Sequence, residues 1–469
     1  MKNEPRDEGA VLAKIDEALK AARADFVEIR LEESETTRIS FRGQLLDEIG
    51  ALSSFGGCVR ALVRGGWGFV SFDGLDDLAE RVRDACNYAR LVNGERVDLA
   101  PVEPVVDNVK LNLTSDPRAV SLSEKKRLLS DYNQIMIEFS PEIQTTMVAY
   151  LDSYKKKYYA TSEGSRIIQE SSNMGANFVA IARRQDTVQQ CFATAGGITG
   201  FDSMRGLESR AEDVARRAVE MLDARPVTGG KYTVVIDPGL AGVFIHEAFG
   251  HLSESDFLYE NERLKGIMTL GRRFGSDILN VFDGAAIPGH RGSYKYDDEG
   301  VAAQKTYLIK DGILVGRLHS RETAGKMGER PTGNARAINY RHRPIVRMTN
   351  TAIEGGTTSF HDMISDIKEG IYAIEAYGGQ TAAEMFTFSA MEAFMIRDGK
   401  IAERVRDVVL TGNVFETLKN IECIGNDFAW KDGGVGGCGK GGQFPLPVAD
   451  GGPHVRIRDV VVGGGQKNG

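Results

Sequence analysis

Apolar residues at Val11, Ile15, Ala18, Leu19 and Ala22 recur at helical spacing, so the chain opens on an amphipathic helix. Short alternating runs follow at 26–31, 37–41 and 58–63; Arg64-Gly65-Gly66 reads as a turn and 67–72 as the returning strand. Leu75, Leu78, Val82 and Ala85 mark a second helix. A third starts at the capping box Ser121-Leu122-Ser123-Glu124 and buries Leu128, Leu129, Tyr132 and Ile135. Runs at 147–151, 158–161, 166–169, 177–182 and 188–193 read as a meander of short strands, and Leu207, Ala211, Val214, Ala218 and Met221 form one more helical stripe. Arg225-Pro226-Val227-Thr228-Gly229-Gly230 breaks the pattern, which places a domain boundary there.

Beyond the break, 232–236 is a short apolar strand. Asp237-Pro238-Gly239 then opens a helix, with proline at its first position and Leu240, Val243, Phe244 and Phe249 as its buried face. Asp311-Gly312 and Asp398-Gly399 are each flanked by strand-like runs, a strong hairpin signal. Further strands fit 345–348, 371–376, 385–388, 408–410 and 455–462, and a helix fits 413–423. The pattern divides the chain into 1–228 and 229–469, and the many short, mostly antiparallel strands of the second part suggest a barrel or a large curled sheet that carries the helix running into His246.

That helix holds the densest chemistry, His246-Glu247-Ala248-Phe249-Gly250-His251, in a chain with only seven histidines. The zinc pattern H-E-x-x-H sets its histidines four apart on one helix face. Here the spacing is one longer, and on an ideal α-helix the second ring would turn well away from the first. Metal binding therefore requires a π-type turn or a helix end near Gly250; otherwise these are two unrelated polar residues on a buried helix. The segment Gly433-Gly434-Val435-Gly436-Gly437-Cys438-Gly439-Lys440-Gly441-Gly442-Gln443 offers a thiolate at Cys438, which nearby Lys440 could favour. Two imidazoles, a thiolate and an open position form a known catalytic zinc set. A glycine-rich turn with an incidental cysteine fits the spacing equally well. Gly434 to Lys440 also matches a phosphate-loop pattern, but Gly441 stands where the hydroxyl belongs, so that reading is rejected.

Other clusters are weaker. Tyr296-Asp297-Asp298-Glu299-Gly300 could hold a metal or a peptide amine, but reads better as a turn. Arg330-Pro331-Thr332-Gly333-Asn334-Ala335-Arg336 could supply a substrate clamp or be an ordinary loop. Lys155-Lys156-Lys157-Tyr158-Tyr159 reads as a solvated strand edge rather than a nucleic-acid surface. The formal net charge of -8 argues against a general nucleic-acid binder. No apolar run approaches a membrane span, and the first eight residues lack the apolar core of a secretory signal. Five scattered cysteines suit reduced thiols in a cytoplasm.

Taken together, His246-Glu247-x-x-x-His251, Pro331-Thr332-Gly333-Asn334-Ala335-Arg336 and Cys438-Gly439-Lys440-x-Gly442-Gln443 resemble the TldD/PmbA metallopeptidase family. The intact histidine–glutamate motif resembles its TldD branch. The resemblance implies one Zn²⁺ per chain held by His246, His251 and Cys438, with Glu247 as catalytic base. It also implies an α+β fold, with an N-terminal α/β domain over 1–228 and a C-terminal β-barrel-like domain over 229–469, and a dimer around an internal chamber that admits extended, unfolded peptides or small unstable proteins. The second subunit is either a TldE/PmbA-like chain or another copy. The competing expectation is a non-enzymatic, chaperone-like peptide-binding subunit in which the histidine pair is structural.

Overall fold

The computed structural model describes residues 6–92, 97–382 and 384–463; Met1 to Pro5, within the stretch weighed above as a secretory signal, lie outside the described residues. The first half is built on one long sheet. Its strands are β1 (Phe26–Arg42), β2 (Leu45–Val63), β3 (Gly66–Asp73), β4 (Val106–Val109), β5 (Ile143–Thr161), β6 (Arg166–Arg184) and β7 (Thr187–Gly197). They run in the order β3-β2-β1-β5-β6-β4, with β7 also on β6. Helices α1 (Glu8–Leu19), α2 (Leu78–Leu91), α3 (Leu122–Glu138) and α4 (Glu208–Glu220) cover one face. Val27, Ile29 and Leu31 of β1 join α1 and α2 in one apolar cluster; Ile39 and Phe41 join α3 and α4 in another. The cap of α3 forms as expected, Ser121 Oγ accepting the Glu124 N–H at 3.1 Å. Glu124 itself turns to Arg205 at 2.6 Å.

Two sequence expectations are corrected here. The separate short strands at 26–31 and 37–41 are one strand, as are those at 147–151 and 158–161 and those at 166–169 and 177–182. The lysine run is not a sheet edge, because β5 lies between β1 and β6. Its side chains alternate between faces. Lys156 meets Glu8 at 2.5 Å on the helix side, whereas Lys155 meets Glu32 at 3.2 Å and Lys157 meets Asp298 at 2.6 Å on the other. That other face carries Ser34, Thr36, Ser153, Ser171 and Asn173, and with the second half it walls a cleft of about 380 Å³. An antiparallel sheet commonly packs one face on the core and leaves the other polar, and here the polar face lines the cleft with short hydroxyls and amides.

The second half closes a five-stranded barrel. Gly230–Ile236 pairs with Glu369–Ala382 and Val455–Gly463; the latter pairs with Val409–Asn413, which pairs with Met385–Arg397, which returns to Glu369–Ala382. Both expected Asp-Gly hairpins form, with positive φ at Asp311, Gly312, Asp398 and Gly399, the conformation such tight turns require. The expected helix at 413–423 stops at Lys419, and Ile421–Ile424 is a strand on Val455–Gly463.

Helix α5 (Pro238–Ile245) lies between the barrel and a six-stranded sheet that includes Ala449–Gly452. Its Phe244 ring meets Phe386 at 5.4 Å and Phe388 at 6.1 Å. On the other side Gly242 lies against strand Ala449–Gly452, where a Cβ would come within 2.8 Å of Gly451 N and 2.9 Å of Asp450 C. Gly242→Ala therefore forces backbone apart and should cost about 1–3 kcal/mol. Urea unfolding checks this: a lower midpoint at unchanged slope is expected, and an unchanged midpoint would mean the strand yields freely.

Candidate metal centre

Asp237 starts α5, its carboxylate accepting the Leu240 N–H at 2.8 Å, with Pro238 in the first turn. The α-helical pattern ends at Ile245, and His246–Gly250 widens into a π-turn in which the His251 N–H donates to His246 O. One extra residue in that turn brings positions five apart onto the same side. The two imidazole centroids are 5.3 Å apart with planes at 85°. Gly250 keeps right-handed helical angles, φ -58° and ψ -53°, and its lack of a side chain serves packing instead: a Cβ there would stand 2.0 Å from Met348 Sδ.

The third donor comes from the glycine-rich tail. Cys438 lies on the strand Cys438–Lys440, paired with Gln443–Leu446. Its Sγ is 3.2 Å from His246 Nε2 and 3.4 Å from His251 Nε2. The donor atoms of His246, His251 and Cys438 all lie within 4.8 Å of one another, the one such convergence among the described residues. Each imidazole is held by its other nitrogen: His246 Nδ1 lies 2.7 Å from Asp450 Oδ1, and His251 Nδ1 lies 3.0 Å from Glu254 Oε2. A carboxylate on Nδ1 fixes the tautomer that leaves the Nε2 lone pair free, the arrangement metal-bound histidines use. Around a tetrahedral zinc with bonds of about 2.0 Å to nitrogen and 2.3 Å to sulfur, donors sit about 3.5 Å apart. The observed separations fit that set. Glu247 borders it on the open side, with its side chain 33% exposed and Oε2 3.9 Å from His251 Nε2.

The electrostatics point the same way. Burial by itself pushes the Cys438 thiol up, but the His246 charge and hydrogen bonds from both rings outweigh it and bring it down to about 5. Burial opposes charge on His251, yet Glu254 and the thiolate lift it to about 10. His246 is likewise raised by Asp450 and the thiolate against its own burial. Burial would raise Glu254, but His251 and Lys440 hold it at about 2. The pocket sets a thiolate and two carboxylates around the two rings, a donor set whose charge a bound dication would balance.

Lys440 does not face the thiolate as expected. Its ammonium meets Asp256 at 2.5 Å, Glu254 at 3.0 Å and the Val346 carbonyl at 2.9 Å, pinning the cysteine strand to the segment after His251. Of the other weighed clusters, Asp298 and Glu299 tie the two halves together, whereas Asp297 and Arg336 brace the second half internally. Asp298 pairs with Lys157, Glu299 pairs with Arg60 at 3.1 Å, and Asp297 accepts three backbone N–H groups. Arg336 donates to the carbonyls of Met348 and Pro447 at 2.6 and 2.7 Å. Sequence reasoning missed Asp450 and Glu254. Glu254 had a local signal, three residues after His251; Asp450 had none. Asp450→Asn should weaken zinc binding by about 10–100-fold, read by competition with a chelator. Unchanged affinity would mean the His246 ring is fixed by packing alone.

Comparison with known proteins adds the family. Descriptions of the PmbA/TldA metallopeptidases match residues 27–89 as domain 1, 115–224 as the central domain and 229–464 as the C-terminal domain. A Synechocystis protein named as a metalloprotease is 52% identical over 94% of this chain and 96% of its own length. A Saccharolobus solfataricus protein named zinc metalloprotease TldD homolog is 29% identical over 87% of this chain and 89% of its own. The crystal structure of TldE from Thermococcus kodakarensis superposes with a TM-score of 0.77 at 18% identity, covering 97% of this chain and 99% of that one, which establishes a shared fold. With three domain matches in order along the chain and a relative half identical to it, the chain belongs to the PmbA/TldA metallopeptidase family.

Proposed function

We propose that this metallopeptidase is a zinc enzyme that hydrolyses unfolded or extended peptides, with His246, His251 and Cys438 holding one ion and Glu247 as general base. The observation that carries the reading is the meeting of two Nε2 atoms with the Cys438 sulfur, each ring backed by a carboxylate. Bound there, the ion supplies Lewis acidity toward water and the scissile carbonyl. Glu247 Oε2 accepts the proton of the attacking water and delivers it to the leaving amine. Asp450 and Glu254 hold the two rings in one tautomer through the cycle. The peptide lies in the cleft between the halves, whose lining includes Gly436 and Leu446, the strand partner of Cys438. Backbone hydrogen bonds provide most of its affinity there, and side-chain selectivity is modest.

The chain works as a dimer, with a TldE-type subunit or a second copy closing the chamber. The likeness to the Thermococcus TldE fold supports the pairing. The two domains meet at 228/229. The described cysteines are all free, which suits a reducing cytoplasm. No described helix is long and apolar enough to cross a membrane. Chelator treatment of the purified chain, alone and with a TldE-type subunit, tests the reading. Cleavage of an unstructured peptide should disappear on stripping and return with one equivalent of zinc. Cleavage that survives complete metal removal would overturn it.

A further inference from the structure

The segment that ends on Cys438 is anchored in the other half of the protein. Its Val435 N–H donates to Asn177 Oδ1 of β6 at 3.0 Å, and Thr194 Oγ1 of β7 donates to the Asp432 carbonyl at 3.2 Å. Arg291, buried between the halves, completes the clamp. Its Nη1 donates to the Gly436 carbonyl at 3.1 Å, its Nε to Asn173 Oδ1 of β6 at 2.6 Å, and its backbone N–H to Asp432 Oδ1 at 3.0 Å. The glycines record how close the approach is. A Cβ on Gly175 would stand 2.0 Å from the Gly434 carbonyl oxygen, and one on Gly434, whose φ is +57°, would stand 1.9 Å from Asn177 Oδ1. This stretch of chain has no slack between its anchor on the sheet and the sulfur.

The other two donors have a different origin. His246 and His251 follow α5, which is packed entirely within the second half. Only the thiolate is referred to the N-terminal sheet. We propose that β6, through Asn177 and the Arg291–Asn173 strut, positions the Cys438 thiolate, so that the metal centre is assembled across the two halves. Metal affinity then depends on sheet side chains that do not touch the ion. A donor already held in place loses little freedom when the ion arrives; a donor on a released glycine loop must be ordered at the expense of binding. The inference rests on the ligand set proposed above and adds positioning residues to it.

The test uses the full-length protein, stripped of metal and titrated with Zn²⁺ against a chromophoric chelator and with Co²⁺ in the absorption spectrum. The set is the parent chain, Asn177→Ala, Asn177→Asp and Cys438→Ser. Asn177→Ala should bind zinc about 10-fold more weakly, the lower end of what outer-sphere partners contribute, with a diminished sulfur-to-cobalt charge-transfer band. Asn177→Asp keeps an acceptor for the Val435 N–H and should stay with the parent. Cys438→Ser should lose the band; if it bound zinc as the parent does, the ligand set itself would be wrong and this inference with it. If Cys438→Ser loses zinc while Asn177→Ala keeps parent affinity and spectrum, the ligand set stands and the positioning role is overturned. Should Asn177→Ala not fold, Asn173→Ser, which withdraws the acceptor of Arg291 Nε, decides the matter: weaker zinc binding supports the clamp, and parent-like binding overturns it.

Discussion

Glu247→Gln lowers peptide hydrolysis by about 10²–10⁴-fold, the range a general base contributes, and leaves the metal content of the protein unchanged. The substitution keeps the size and shape of the side chain and removes its capacity to take a proton. Glu247 is outside the converging group of three donors, yet its carboxylate lies 3.9 Å from His251 Nε2 and is open to solvent. The loss should fall on kcat with KM little changed, because the role begins only when water attacks. Stopped-time assays on an unstructured peptide, with metal analysis on the same preparation, separate the two quantities. Activity retained within a few-fold would remove Glu247 as the base.

Cys438→Ser should lose both stoichiometric metal and measurable cleavage. Serine is nearly the same size, so the hairpin and its contacts survive. A hydroxyl, however, remains protonated where the Cys438 thiol is held down to about 5 by the two rings. The thermal signature is distinctive. An ion that binds only the folded state stabilises it by about 4 kcal/mol when free metal exceeds the dissociation constant a thousandfold. The parent chain should therefore lose several degrees of Tm on chelation, and the variant should show no chelator shift. A variant that holds zinc one to one would make the sulfur a bystander.

The legibility of this chain followed the range of its interactions. The helix into His246 was readable because its cap, its proline and its apolar face are neighbours in sequence. The π-turn could be inferred from the five-residue spacing, since two rings cannot converge without it. The hairpins at Asp311-Gly312 and Asp398-Gly399 needed nothing beyond the turn itself. The long strands were unreadable because their middles are polar on both faces. Glu32 to Glu35, Ser153 to Lys157 and Glu170 to Asn173 satisfy one another across the sheet, as in the Ser34–Ser54 hydroxyl pair at 2.8 Å and the Lys155–Glu32 ion pair. Such stretches look like turns when read alone. The lysine run was mistaken for an edge for the same reason: its partners Glu8, Glu32 and Asp298 are distant in the chain. Asp450 and Asn177 left no trace in the local pattern. Each acts on a segment far away in sequence, His246 in one case and Val435 in the other. Cys438 became legible only through the joint occurrence of several motifs.

In the proposed centre two rings and one sulfur, drawn from opposite ends of the second half, share a single ion. Anomalous diffraction from crystals of the zinc-loaded protein, collected on both sides of the zinc absorption edge, tests it most directly. One peak per chain is expected, bonded to His246 Nε2, His251 Nε2 and Cys438 Sγ, with Glu247 beside it and not bonded to it. A fully occupied peak held by other residues, or zinc-saturated protein with no peak between these three atoms, would contradict it.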